Sequence, residues 1–158
     1  IAPEGVSIAT AGWSEVSGIG LHEGTAGPGW DHEPDVGPSP LILPVLLRQI
    51  LTGCSEGRFW VGEWDGWGSR RRPAVSRSLT VPGRRYHMTA TSPQELLTDL
   101  DPEHLPDVVW DEVGTFIILA DIDLPSTIVG CQKGIAEGLL RNPNLEAVRV
   151  DGGAPIVT

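Results

Sequence analysis

Two aspartates two positions apart, Asp121 and Asp123, stand at the end of an unbroken apolar run of Phe116, Ile117, Ile118, Leu119 and Ala120. On an extended chain, residues i and i+2 share a face, so the two carboxylates point the same way. Carboxylate oxygens so placed suit a hard divalent cation such as Mg²⁺ or Ca²⁺, with Asp65 or Glu63 from a neighbouring strand completing the set. Ser126, Thr127 and Gly130 follow. A helix expected after them would present unpaired N–H groups, the setting in which an open sheet with parallel strands binds ligands. A plainer assignment uses the same residues structurally: Asp123 caps the turn, Ser126 and Thr127 satisfy loop amides, and Asp121 sits on the solvated end of the strand. A bare D-x-D word does not choose between the two.

A second constellation combines aromatic and basic side chains. Of the eleven Lys and Arg, six (Arg70, Arg71, Arg72, Arg77, Arg84 and Arg85) fall within sixteen residues, against a formal net charge of -10 for the chain. Trp occurs six times, at 13, 30, 60, 64, 67 and 110. Trp60 and Trp64 alternate on an expected strand and read as core, and Trp110 reads as an edge cover. Trp67, flanked by Gly66 and Gly68, reads as exposed. Trp and Arg are the side chains that dominate binding hot spots, so Trp67 with Arg70, Arg71, Arg72 and Arg85 makes a candidate contact surface for a protein partner. Stacking and phosphate pairing on single-stranded nucleic acid would use the same residue types, but the net negative charge opposes it, as it opposes an anionic membrane surface.

Other chemistries lack their words. There is no G-x-S-x-G and no P-loop, and His22, His32, His87 and His104 have no metal-ligand spacing, so no metal or cofactor is expected. Cys54 and Cys131 lie 77 positions apart without a C-x-x-C pair. They are either free thiols of a reducing cytosol or one disulfide.

The elements that must position these residues follow from periodicity. Residues 41–51 repeat apolar side chains at helical spacing, with Pro44 tolerable in the first turn and Gly53 placed to end the helix. Residues 58–65, RFWVGEWD, read as a strand with large apolar groups on both faces, hence near the sheet centre, and the glycines after it supply positive φ. Residues 74–81 and 84–89 alternate about Pro82 and Gly83, an antiparallel hairpin. Ser92, Pro93 and Glu95 form a capping box opening a helix to about Leu100. Residues 101–107 form an acidic connection, and residues 107–110 carry no clear period. In residues 115–150 a buried strand, a helix stopped by Asn142 and Pro143, and a strand over 145–150 make a βαβ-like unit. A short helix over 11–16, capped by Thr10 and anchored by Trp13, precedes a long loop over 24–40 with the cluster Trp30, Asp31, His32 and Glu33.

At 158 residues, 40% hydrophobic and 20% charged, the chain is the size of one globular domain. With no linker or internal repeat, one domain is expected, irregular over residues 1–40 and compact over 41–150. The class is α+β, with a mixed sheet of about five strands, helices packed against it and a βαβ-like C-terminal half. No stretch reaches the roughly 20 apolar residues that span a bilayer, and a cytoplasmic setting is expected.

From Phe59 onward, the order FWVGEWDGWG, PGRRY and FIILADIDLPSTIVGCQKGIAEGLLRNPNLEAVRV resembles a family of uncharacterised proteins from high-GC Gram-positive bacteria. In that family a W-x-G-aromatic-G word precedes a hairpin, and a [DE]-[IV]-D-x-x-S-T-x-V-G-G word precedes a helix. Ala120 and Cys131 depart from the pattern, and the first 40 residues fall outside it. The family has no established activity, so the resemblance implies an architecture and a cytoplasmic setting and carries over no catalytic residue. These features favour a small cytosolic binding or interaction protein, of the immunity or accessory kind, over an enzyme. The alternative is an enzyme or ligand-binding domain with an acidic, metal-competent site at Asp65, Asp121, Asp123, Ser126 and Thr127.

Overall fold

Among the described residues, three helices lie on one face of a six-stranded sheet. In the computed structural model, residues 37–52, 57–67, 77–102, 104–120 and 126–150 are described. The order is α1 (Leu43–Leu51), β1 (Phe59–Trp64), a 3₁₀ turn (Asp65–Trp67), β2 (Arg77–Val81), β3 (Arg84–Thr91), α2 (Pro93–Thr98), β4 (Val108–Asp111), β5 (Phe116–Leu119), β6 (Ile128–Cys131) and α3 (Lys133–Leu140). The strands run in the spatial order β2-β3-β1-β4-β5-β6. Val36–Leu145 form one unit, and residues 1–35 with 146–158 group as another, of which 146–150 carry neither helix nor strand.

The helices form for the reasons their sequences suggest. In α1, Pro44 occupies the first turn, where its missing N–H costs nothing, and Leu43, Leu46, Leu47, Ile50 and Leu51 all face inward. Leu43 and Leu47 are fully buried, each stabilising the fold by roughly 1.5–3 kcal/mol relative to exposure. Ser92 caps α2 reciprocally: its hydroxyl accepts from Glu95 N–H at 3.2 Å, and Glu95 Oε2 accepts from Ser92 N–H at 2.9 Å. Beyond α3, the Asn142 amide donates to Gln49 Oε1 on α1 at 3.1 Å, and the Asn142 side-chain oxygen accepts from Asn144 N–H at 2.9 Å.

Strand parity divides the sheet into two faces. Phe59, Val61, Val109, Phe116, Ile118 and Val129 point toward the helices and join the main core with Leu96 and Leu139. Trp60, Trp64, Leu79, Tyr86, Met88, Val108, Trp110 and Leu119 form a second cluster on the opposite face, none of them from a helix. Gly62 lets these layers close up: a Cβ there would overlap Val108 Cγ1 and lie 2.8 Å from Met88 Sδ. β1 is thus interior, between β3 and β4, with the helices over one face and large apolar side chains on both.

The α+β class stands, but every strand pair is antiparallel, so the sheet is not mixed. The βαβ-like half is replaced by a hairpin and a helix. Residues 128–131 pair with 116–119 as β6, where a loop was expected, and 145–150 form no strand. Ile128 and Val129, β-branched and suited to a strand, pair directly with Leu119 and Ile118 as an antiparallel return along β5, so the segment before α3 is itself a strand. Val148 and Val150 are half exposed. The turn after β1 also differs in its use of glycine. Gly66 has no positive φ; a Cβ there would overlap the Trp64 ring. At the β2–β3 turn Gly83 does adopt φ 76°, as the Pro82-Gly83 pair implied. The segments read as a helix over 11–16 and a loop over 24–36, together with Gly53 and Cys54, lie outside the described residues. Cys131 carries a free thiol on the helix-facing side of β6.

The β4–β5 hairpin is fixed by a carboxylate. Asp111 is buried and accepts from Thr115 N–H at 2.7 Å, from Phe116 N–H at 3.1 Å and from the Thr115 hydroxyl. Gly114 closes the turn at φ 74°, its N–H bonded to Asp111 O at 3.1 Å. Burial alone would push the Asp111 carboxyl up, but the Thr115 hydroxyl and the Phe116 and Thr115 N–H groups together outweigh it and hold the carboxyl below its ordinary value. Asp111→Ala should therefore cost about 1–3 kcal/mol at neutral pH, measured by urea unfolding. A depressed folded-state value means the stabilisation is present above the unfolded-state value of about 4 and lost as pH falls through the folded one. The wild-type advantage should accordingly shrink on acidification and be flat above about pH 5. Burial pushes the Cys131 thiol up, so it should alkylate with iodoacetamide more slowly in the folded protein than in urea, followed by peptide mass spectrometry.

Candidate functional site

One end of the sheet gathers the residues with chemical potential. The antiparallel registers bring the end of β1, the start of β3, the start of β4, the end of β5 and the start of β6 to the same side. Asp107, immediately before β4, is its centre and is 1% exposed. Its Oδ2 accepts from Trp64 N–H at 2.7 Å, and its Oδ1 accepts from the Trp67 indole Nε1–H at 3.0 Å. Its backbone N–H donates to Gly62 O at 3.0 Å and its carbonyl accepts from Ala120 N–H at 2.8 Å. The carboxylate receives the Trp64 N–H where Pro106 ends the strand, because a buried backbone donor must find an acceptor. A carboxylate so engaged is a structural acceptor and a poor general base.

Beside it, His87 Nε2 lies 2.6 Å from Asp65 Oδ1, with His87 mostly buried. Register places Glu63 on one side of His87 and Ser78 on the other, all on the helix-facing side of the sheet. Across the sheet, the Arg84 guanidinium stacks 4.9 Å from the Trp64 ring centroid and Arg77 stacks 5.2 Å from Trp60. Trp60 and Trp110 are direct cross-strand partners, and Trp64 and Trp67 meet edge to face at 6.0 Å. Each Arg–Trp contact at a partly exposed site is worth about 0.5–1 kcal/mol.

The residues singled out from sequence are distributed as follows. Trp67 is half-buried with its indole N–H bonded to Asp107, so it is a latch on the 3₁₀ turn and not a freely exposed ring. Arg85 is exposed on the hairpin. Arg70, Arg71 and Arg72 lie outside the described residues, as do Asp121 and Asp123. Asp65 is engaged with His87. Ser126 and Thr127 precede β6 at the same sheet end as Asp65, but the N-terminus of α3 does not join them. Gln132, its cap, bonds to Thr115 O at the opposite end of the β5–β6 hairpin, about 13 Å along a four-residue strand. The antiparallel return thus separates Ser126 and Thr127 from the helix amides expected beside them. Among the described residues, no group of three or more His, Cys, Asp or Glu is placed to hold a metal ion, and no helix is long and apolar enough to cross a membrane.

Asp107 itself was missed, read as part of an acidic connection. The available signal was an acid directly before the β-branched pair Val108 and Val109, a place where strand burial forces a side chain inward. Asp107→Ala should cost about 3 kcal/mol, because it strands a backbone N–H and an indole N–H. It should also shift Trp emission to the red as Trp67 is released. Asp107→Asn, which keeps a carbonyl acceptor, should lose less than half as much stability by the same measurement.

Compared with family models, curated proteins and solved structures, this chain matches none of them.

Proposed function

We propose that this chain is a non-catalytic binding protein that engages a protein partner through the hairpin side of its sheet. The contact surface is Trp60 and Trp64 with Arg77 and Arg84 over their rings, extended by exposed Val81 on the same face; Arg85, also exposed, points to the other face of the hairpin. The observation that carries the reading is the pairing of both Arg with both Trp on a face whose apolar cluster, among the described residues, contains none from a helix. Such a surface offers flat aromatic area for apolar contact beside cationic side chains, the residue types of protein hot spots. Nucleic acid is disfavoured by the net charge of -10. The two buried carboxylates among the described residues, Asp107 and Asp111, are used as structural acceptors, which further favours binding over catalysis.

The reading also moves the aromatic anchor. Trp67, the candidate from sequence, is held by Asp107, and the stacked pair Trp60 and Trp64 takes its place. The setting remains the cytoplasm, as the resemblance implies. Immobilised wild-type protein, R77A/R84A and R70A/R71A/R72A are compared for recovery of a partner from lysate, with circular dichroism as the folding control. Losing one hot spot costs at least about 2 kcal/mol, so a folded R77A/R84A variant should weaken partner binding roughly thirtyfold or more. Equal recovery by both folded variants rejects the proposal.

A further inference from the structure

The two outermost strands of the sheet are unlike each other. β2 carries Arg77 and runs into Pro82, the charge and proline that protect an exposed edge from pairing. β6, Ile128–Cys131, has neither charge nor proline. The hydrogen-bond phase of the β6 edge follows from two bonds. Ala120 N–H bonds to Asp107 O, so the even-numbered residues of β5 face β4; Gln132 N–H bonds to Thr115 O, so residues 128, 130 and 132 face β5. Val129 and Cys131 therefore direct their N–H and C=O groups away from the sheet. Among the described residues, no strand pairs with that side.

We propose that β6 is a homodimer edge, pairing antiparallel with β6 of a second copy about a two-fold axis at Gly130, to make a continuous twelve-stranded sheet from two six-stranded ones. The outward groups are self-complementary about that axis. Val129 opposes Cys131 of the second copy, and Cys131 opposes Val129 of the second copy, so each of these two pairs exchanges two N–H···O=C bonds. Gly130 meets its own image at the close, non-hydrogen-bonded position, where Cα atoms approach to about 4.5 Å. On the same face Ile117 is 47% exposed and leans on Gly130, where an added Cβ would stand 3.0 Å from Ile117 Cγ2. The two Ile117 side chains would flank the axis, over the glycines. A heterologous strand would satisfy the same four backbone groups, but the symmetric phase about the one residue without a side chain favours a second copy. Two chains of net charge -10 repel at long range, so the dimer strengthens with salt.

Sedimentation equilibrium of the full chain tests this. The expected result is a mass that rises toward two copies with protein concentration, and further as ionic strength goes from about 0.01 to 0.15 M. Gly130 is exposed with no positive φ, so G130K places a charged side chain on the axis without straining the backbone, and should be monomeric. S78K, the same charge change on the β2 edge, should dimerise like wild type. A second arm does not depend on G130K folding. V129C should form an interchain disulfide with Cys131 of the second copy on oxidation, because an antiparallel hydrogen-bonded pair holds Cα atoms about 5.5 Å apart, within disulfide reach. Non-reducing electrophoresis with peptide mapping reads the pairing. A monomeric wild type, a folded G130K variant that dimerises as wild type, dimer loss in S78K instead, or V129C linked otherwise would each overturn the proposal.

Discussion

Asp107 is the interaction on which the rest of this sheet depends. A carboxylate with almost no exposure is tolerable only if its lone pairs are used, and here a backbone N–H of β1 and an indole N–H of the following turn use them. The same residue joins β1 and β5 through its main chain. One side chain thus fixes where β1 ends, how the 3₁₀ turn folds back and where β4 begins. Trp67 is drawn inward, Trp64 is set against it, and Arg84 finds a ring face on which to stack.

From that joint the two faces acquire different characters. Parity along β1 sends Phe59 and Val61 under the helices and Trp60 and Trp64 to the other side, and Gly62 permits Val108 and Met88 to approach between the two Trp. The helix-covered face is a core of aliphatic side chains around the Phe59–Phe116 pair, closed by α1. The opposite face is aromatic, with the Arg77 and Arg84 guanidinium groups over the Trp60 and Trp64 rings. The hairpin turns obey local rules at each end: Gly83 and Gly114 take the left-handed conformation, and Asp111 caps the β4–β5 turn.

The parts legible in sequence were those governed by neighbours along the chain. The α1 apolar stripe with Pro44 in its first turn, the Ser92–Glu95 capping box, the Pro82-Gly83 hairpin and the interior strand of alternating Phe59, Trp60, Val61 and Trp64 all appear as the residues implied. The candidate site was legible only in fragments. Asp65 and Trp67 were noticed, but their partners His87 and Asp107 lie 22 and 40 positions away, beyond any periodicity. The C-terminal third was misread because strand–helix–strand patterning is silent on direction. A four-residue Ile128–Cys131 segment is too short to announce itself against the helix that follows it.

By itself, then, the sequence determined the α+β class, the local caps and turns, the uneven distribution of charge and the interior strand with large apolar side chains on both faces. Those properties are set by contacts within a few residues, where side-chain size and backbone preference act directly. Only the tertiary structure decided that every strand pair is antiparallel, that Asp107 is a buried acceptor, that Trp67 is a latch while Trp60 and Trp64 carry the arginines, and that β6 forms an edge without charge. Each of these depends on which distant segments meet, and a hydrogen bond across 43 positions, such as Trp64 to Asp107, leaves no trace in local pattern.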